Sequence, residues 1–166
     1  MIYTMEDGVA DDIFVANVDA IVCPVNAVGV MGKGLALEFK KKFPLYYNSY
    51  RNFYSAAALK IGELHLYYCK DGVGKSIYPY ELIISFPTKK HWKDPSKLSY
   101  IEEGLKQLAY TLRQIPNIKT IVIPALGCGL GGLNFKDVKK LIITALEPIK
   151  TLDVFLYEPK GITTVI

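Results

Sequence analysis

Two glycine-rich segments, residues 26–34 and 125–132, have the composition of loops that hold an anion against the backbone. The first reads NAVGVMGKG, the second reads ALGCGLGG, and each follows a short apolar run. Glycines at the carboxyl end of a strand let the backbone approach a ligand and turn amides towards it. A following helix N-terminus adds a positive dipole that favours a phosphate. One such loop is compatible with a simple tight connection, whereas two at one sheet edge favour a diphosphate site.

Neither segment satisfies a familiar nucleotide-binding motif in its proper context. A P-loop would need glycine at Ala27 and serine or threonine at Gly34. Residues 127–132 match the dinucleotide pattern by letter, but too few residues follow them to complete a doubly wound half. A hydride-transferring dinucleotide enzyme is therefore not expected.

A third candidate for chemistry is the basic segment KKHWK at residues 89–93. Lys89 follows Thr88 at the end of an apolar run, so we expect its amine near the sheet edge. A lysine amine can act as a nucleophile or in proton transfer. Lys90 and Trp92 combine a charge for phosphate with a ring on which a base can stack. The alternatives are a simply exposed basic loop and, for Trp92, packing against the core.

These segments must be positioned by alternating strands and helices, the pattern of an α/β sandwich with a mainly parallel sheet. Nearly continuous apolar runs predict strands at residues 20–25, 63–69, 82–86, 120–123 and 153–157. Apolar spacing of three and four predicts helices at 34–43, 96–115 and from Asn134 to before Pro148. Asp94 and Pro95 are expected to supply the N-cap and the first-turn proline of the long helix.

Length and composition limit the remaining function classes. The 166 residues fit one domain, residues 1–166, and the net charge of +4 is compatible with an anionic ligand or nucleic acid. Three cysteines without CxxC spacing predict neither a zinc site nor a disulfide framework, so no metal and no cofactor is expected. With no evident signal peptide or membrane segment, we expect a cytoplasmic protein. Cys128 and His65 are expected to be structural.

Three motifs together resemble the macrodomain family. They are VNAVGVMGKGLA at residues 25–36, FPTKKHW at 86–92 and GCGLGGL at 127–133, and they occur in the family's order. More narrowly, they resemble the branch of the terminal ADP-ribose protein glycohydrolase and the bacterial antitoxin DarG, a DNA ADP-ribosyl glycohydrolase. The resemblance implies a three-layer α/β/α sandwich with a six-stranded mixed sheet, and ADP-ribose lying across its carboxyl edge.

The resemblance also implies the site residues. Asp12, beside the Ile13 amide, would bind the adenine, and Asn26 would orient the distal ribose and share in catalysis. Lys89 would be the catalytic lysine, attacking the opened ribose or transferring a proton. The remaining ADP-ribose contacts, largely through backbone amides, would come from Gly29, Val30, Met31, Gly32, Gly34, Leu35, Thr88, Gly127, Cys128, Gly129, Leu130 and Gly131. Lys90, His91 and Trp92 would contact nucleic acid.

One position narrows the implied substrate. The protein-directed glycohydrolase carries an aspartate where this chain has Gly131, and the glycine matches the DNA-directed pattern. This favours ADP-ribose linked to thymidine in single-stranded DNA, with a cognate ADP-ribosyltransferase toxin as a partner. The alternatives are a non-catalytic reader of ADP-ribose and a hydrolase acting on protein-linked ADP-ribose, O-acetyl-ADP-ribose or ADP-ribose 1″-phosphate.

Overall fold

The computed structural model describes residues 1–6, 13–57, 60–70 and 77–158. The strands are β1 (Ile2–Glu6), β2 (Ala20–Asn26), β3 (His65–Tyr68), β4 (Leu82–Lys89), β5 (Thr120–Ile123) and β6 (Asp153–Glu158). The helices are α1 (Gly34–Lys42), α2 (Pro44–Ala57), α3 (Leu98–Gln114) and α4 (Phe135–Leu146), with a 3-10 turn at Ile13–Val15. None of the helices in the described part of the chain is long and apolar enough to cross a membrane.

The strands form one six-stranded mixed sheet, as the family resemblance implied, and their order in the sheet is β1-β6-β5-β2-β4-β3. All neighbours pair in parallel except β3, which runs antiparallel to β4. One apolar cluster packs the sheet against α3 and α4, and a second packs its other face against α1 and α2. Successive residues of β2 serve opposite clusters, Ala20 and Val22 the first, Ile21 and Cys23 the second. Burial on both faces explains the continuous apolar runs.

Two elements were not predicted from the sequence pattern, and one predicted helix start was wrong. The apolar pattern predicts neither strand β1 at the sheet edge nor helix α2, because Pro44 indicates the end of α1 and not also the start of a new helix. Pro44 is also the first residue of α2, a position that proline tolerates because the missing amide hydrogen has no intrahelical partner there. Asp94 and Pro95 do not cap α3, which begins at Leu98 with Lys97 at the N-cap.

A buried polar network ties α2 to the centre of the sheet. The Ser85 hydroxyl lies 2.6 Å from the Tyr46 hydroxyl and 2.9 Å from Nδ1 of His65. The other ring nitrogen of His65 lies 2.9 Å from the Ser49 hydroxyl. His65 is only 4% exposed, which confirms its structural role, and burial lowers the pKa of its imidazole to about 4.

We expect the stability of the protein to fall between pH 7.5 and pH 5 because of His65. The unfolded chain binds a proton near pH 6.5, whereas the folded chain resists it until about pH 4, so acidification in this window favours unfolding. The loss by pH 5 is about 2 kcal/mol of unfolding free energy. Urea titrations at both pH values test this, and His65→Gln should remove most of the difference. An unchanged pH dependence in that variant would contradict the assignment.

Candidate active site

A crevice opens at the carboxyl edge of the sheet, where β2 and β5 separate. The two strands pair only at Ala20–Ile121 and Ile21–Val122. Beyond that point β2 remains paired with β4 but not with β5. After β2 the chain continues to the strands on one side of the crevice, and after β5 it continues to β6 on the other side. The crevice is therefore the switch point at which open α/β sheets bind ligands. The crevice forms a cavity of about 720 Å³.

Most of the predicted site residues meet in this cavity. Its walls include Ile13, Asn26, Val30, Gly32, Gly34, Leu35, Thr88, Lys89, Trp92, Gly127, Gly129, Leu130 and Gly131. The walls do not include Gly29, Met31, Cys128, Lys90 or His91. Met31 and Cys128 point into the protein, since their side chains are buried. Asp12 lies outside the described residues.

The first glycine loop, residues 27–33, is held in shape by Asn26. Its Oδ1 accepts hydrogen bonds from the amides of Val28 (3.1 Å) and Val30 (3.2 Å), and its Nδ2 donates to the Val30 carbonyl at 2.7 Å. The buried Tyr50 hydroxyl donates to the Asn26 carbonyl at 2.8 Å. The side-chain amide nitrogen carries a second hydrogen, so organising the loop and binding a ribose are compatible roles.

The helix that follows this loop presents its N-terminus to the cavity. Gly34, Leu35 and Ala36 of α1 line the wall, and Lys33 at the N-cap makes no side-chain capping bond. The free amides, the dipole and the Lys33 charge together favour an anion. The N-terminus of α4 differs, because Asn134 caps it by accepting from the Lys136 amide at 2.8 Å. The expected dipole contribution therefore comes from α1 and not from α4.

The second glycine loop, residues 125–132, is a tight turn of backbone bonds. The Leu133 amide donates to the Gly127 carbonyl at 2.9 Å, and the Gly132 amide donates to the Gly129 carbonyl at 3.2 Å. A Cβ on Gly131 would lie 2.4 Å from the Gly127 oxygen, so this loop shape has no room for a side chain at that position. Burial raises the pKa of the Cys128 thiol to about 12, which argues against a nucleophilic cysteine.

The Lys89 side chain extends from the end of β4 to the second glycine loop. Its Nζ donates to the Leu130 carbonyl at 3.2 Å and lies 3.5 Å from the Trp92 carbonyl. The Ala27 amide donates to the Lys89 carbonyl at 2.9 Å, so the first loop is joined to the same residue. The ammonium group is thus held at the second loop at one end of the cavity, and the Lys89 backbone is joined to the first loop.

Ser96 fastens the backbone around Lys89 and was missed as a site residue. This buried serine donates from its hydroxyl to the Thr88 carbonyl, and its amide donates to the Gly131 carbonyl at 3.0 Å. Ser96 therefore joins the residue before Lys89, through its hydroxyl, to the second loop, through its backbone amide. No sequence signal pointed to it beyond its place near the start of α3.

Replacing Ser96 with alanine should loosen this junction without removing any group that touches the ligand. The backbone bond to Gly131 remains, whereas the Thr88 carbonyl loses its buried donor, at a cost of about 1 to 3 kcal/mol of stability. We expect a tenfold or smaller loss of affinity for ADP-ribose, about 1.4 kcal/mol at most. Chemical unfolding and calorimetry measure the two quantities. Ser99→Ala, which changes an exposed serine in the first turn of α3, serves as the control.

The side chains of the other residues in the basic segment point in two directions. Trp92 lines the cavity and is 47% exposed, so it does not pack into the core. Lys90 points towards α3, with its Nζ 5.6 Å from the centre of the Tyr100 ring. The His91 ring lies against Trp92, with 5.3 Å between ring centres.

Several wall residues were not predicted. They are Pro24, Val25, Lys33, Ala36, Glu38, Pro124, Ala125, Tyr157 and Glu158. The wall residues at the ends of β5 and β6 could have been predicted from the sequence pattern, because parallel strands place their carboxyl ends at the same edge of a sheet. Glu158 lies three strands from Lys89, about 14 Å along the edge at ~4.8 Å per strand. The cavity therefore suits an extended ligand.

A family model described as "Macro domain" matches residues 22–142. Among curated proteins, the DNA ADP-ribosyl glycohydrolase of Thermus aquaticus is 42% identical over 144 residues, covering 87% of this chain and 38% of that protein. A DNA ADP-ribosyl transferase-DNA ADP-ribosyl glycohydrolase fusion protein of Thermosipho africanus is 34% identical, covering 91% of this chain and 41% of that protein. The chain thus spans about two fifths of the length of these curated relatives.

Solved structures agree with the sequence relatives. The macrodomain of Mycobacterium tuberculosis DarG has a TM-score of 0.86 and 36% identity, covering 96% of this chain and 99% of that one. Thermosipho africanus DarTG in complex with ADP-ribose has a TM-score of 0.80 and 34% identity, covering 90% of this chain and 40% of that one. Both glycine loops and Lys89 lie within residues 22–142, which the family model matches.

Proposed function

This chain belongs to the macrodomain family, and from that premise we propose that it hydrolyses ADP-ribose from thymidine in single-stranded DNA. The observation that carries the proposal is the position of Lys89 Nζ, held 3.2 Å from the Leu130 carbonyl over the end of the cavity. The relatives named as DNA ADP-ribosyl glycohydrolases support the same activity.

The proposed ligand pose follows the electrostatics of the cavity. The diphosphate lies at the α1 N-terminus, between the two glycine loops, where free amides and Lys33 favour negative charge. The distal ribose then lies at the Asn26 and Lys89 end. The adenine lies at the opposite end, near Ile13 and Glu158. Asp12 remains the proposed partner of the adenine amino group.

The proposed reaction breaks the bond between the anomeric carbon of the distal ribose and the thymine base. A water molecule supplies the hydroxyl group to that carbon, and its remaining proton ends on the base. Glycosidases use two carboxylates for such a step, whereas we propose that Lys89, which lines this cavity, acts at the reacting end. Lys89 acts either by attacking the opened ribose or by transferring the proton. Asn26 shares in catalysis by orienting the ribose.

The preference for a base-linked substrate rests on Gly131. A carboxylate at this position would serve a glutamate-linked substrate, but a side chain here would collide with the Gly127 carbonyl. The exposed Trp92 ring beside Lys89 supports a substrate with a base to stack on it. Lys90 and His91 remain proposed nucleic-acid contacts.

The setting of this activity is also part of the proposal. The fusion of a transferase and a glycohydrolase in a relative supports a cognate ADP-ribosyltransferase as partner and an antitoxin role. Cys23, Cys69 and Cys128 are free and buried, which supports a reducing, cytoplasmic location. Residues 1–166 are proposed to form a single macrodomain.

The test is release of ADP-ribose from defined conjugates. Purified protein is incubated with an oligonucleotide carrying one ADP-ribosyl-thymidine, and separately with protein carrying glutamate-linked ADP-ribose. Release from the oligonucleotide alone is expected. Release from protein alone would replace the DNA substrate with a protein one, and binding of ADP-ribose without release from either would make the chain a reader.

A further inference from the structure

A second groove lies on the other side of the first glycine loop. It has a volume of about 440 Å³ and lies between that loop and the exposed surface of α1 and α2. Four side chains from the helices form its outer wall, namely Lys40, Tyr47, Arg51 and Tyr54. The loop itself forms the inner wall through residues 28–32.

The outer wall combines two positive charges with two aromatic rings. Lys40 and Arg51 are exposed, and the Lys40 ammonium lies 4.7 Å from the centre of the Tyr47 ring. Within residues 1–6, 13–57, 60–70 and 77–158, no carboxylate lies within ion-pair distance of Lys40. Cations that follow a backbone, together with rings on which bases stack, are the parts of a single-strand binding site.

Only a thin wall, which belongs to the first glycine loop, separates the groove from the candidate active site. Val30 and Gly32 line both cavities, and the Val30 side chain between them is 41% exposed. This wall is fixed from the groove side, because the Tyr54 ring packs against Gly29 so closely that a Cβ there would lie 2.5 Å from it. When the modified base of a DNA strand is held beside Lys89, a neighbouring nucleotide of the same DNA strand therefore reaches the groove.

We infer that this groove binds a nucleotide adjacent to the modified thymidine, with Lys40 and Arg51 on its phosphates and Tyr47 beside its base. The inference rests on the proposed function and adds the path of the DNA strand to it. It makes the substrate an oligonucleotide rather than an isolated ADP-ribosyl nucleoside. The groove then contributes to KM and leaves the chemical step to the residues around Lys89.

The test compares two substrates that share the reacting bond. One is ADP-ribosyl-thymidine nucleoside, and the other is a single-stranded 12-mer with the same group on its central thymidine. For a Lys40→Ala, Arg51→Ala double variant we expect the KM for the 12-mer to rise about tenfold, because charge-assisted contacts to phosphate are lost. The KM for the nucleoside and the calorimetric affinity for ADP-ribose should stay unchanged. A Lys136→Ala, Lys140→Ala double variant, which changes two exposed lysines on α4 across the sheet, is the control of equal charge.

Two further arms separate the possible failures. Tyr47→Leu should weaken binding of an unmodified fluorescent 12-mer, measured by anisotropy, more than it weakens binding of thymidine monophosphate. Equal KM values for the 12-mer in wild type and double variant would overturn the groove assignment while leaving the proposed function intact. No release from either substrate by the wild type would instead remove the proposed function. Loss of release from ADP-ribosylated protein alone, with the 12-mer unaffected, would assign the groove to a protein substrate.

Discussion

Replacing Lys89 with alanine is expected to lower the rate of ADP-ribose release from the modified oligonucleotide by about 100- to 10,000-fold, the usual contribution of a positioned proton-transfer group. The reason is that Lys89 supplies the only amine whose hydrogen bonds, to the Leu130 and Trp92 carbonyls, fix it over the cavity within the described part of the chain. Affinity for ADP-ribose should change little, because the α1 N-terminus and both loops remain. Single-turnover release and calorimetry measure these two effects separately.

The matched control is Lys90→Ala. The Lys90→Ala substitution removes the same charge from the neighbouring position, but the Lys90 ammonium points towards Tyr100 on α3. Its effect should be confined to a severalfold change in KM for the oligonucleotide. Full activity in Lys89→Ala would mean that the reaction proceeds without this residue, and the mechanism would have to be abandoned. Equal losses of the release rate in the two variants would mean that Lys89 contributes only a positive charge for substrate binding.

Replacing Gly131 with alanine should disable the second glycine loop. The new Cβ would lie 2.4 Å from the Gly127 oxygen, which is itself bonded to the Leu133 amide, so the backbone must move. We expect a loss of about 1 to 3 kcal/mol in the free energy of unfolding, the usual cost of overpacking. The shift also displaces the backbone of the second glycine loop, which lines the cavity, so affinity for ADP-ribose should fall at least tenfold, or about 1.4 kcal/mol.

Gly129 provides the comparison within the same loop. A Cβ on Gly129 meets nothing within 4 Å, and neither glycine has a positive φ, so Gly129→Ala differs from Gly131→Ala only in the collision. Urea unfolding and calorimetry on both variants test the argument. Wild-type values for Gly131→Ala would contradict it. Gly131→Asp should likewise fail to gain release from glutamate-linked ADP-ribose, because the carboxylate has no place in this loop.

Local patterns determined most of the architecture in advance. Continuous apolar runs predicted five of the six strands, since burial on both faces of a parallel sheet leaves few polar positions. Strand β1 was missed because Ile2–Glu6 pairs only with β6 at the sheet edge and lacks such a run. The start of α3 was wrong because Asp94 and Pro95 have the residue types of a helix start, while the chain first reaches back to bond Ser96 to the second loop.

The sequence by itself determined which chemistry is available at the sheet edge: two glycine loops that turn amides outward, and a lysine at the end of an apolar strand. These features depend on residue type and on spacing along one segment, so they are visible before folding. Tertiary structure decided the rest. The bond of the Ser96 amide to the Gly131 carbonyl, the bond of Lys89 Nζ to the Leu130 carbonyl and the packing of Tyr54 against Gly29 each join residues far apart in the chain. Their distances are set by how β2, β4 and the helices pack, which no local pattern contains.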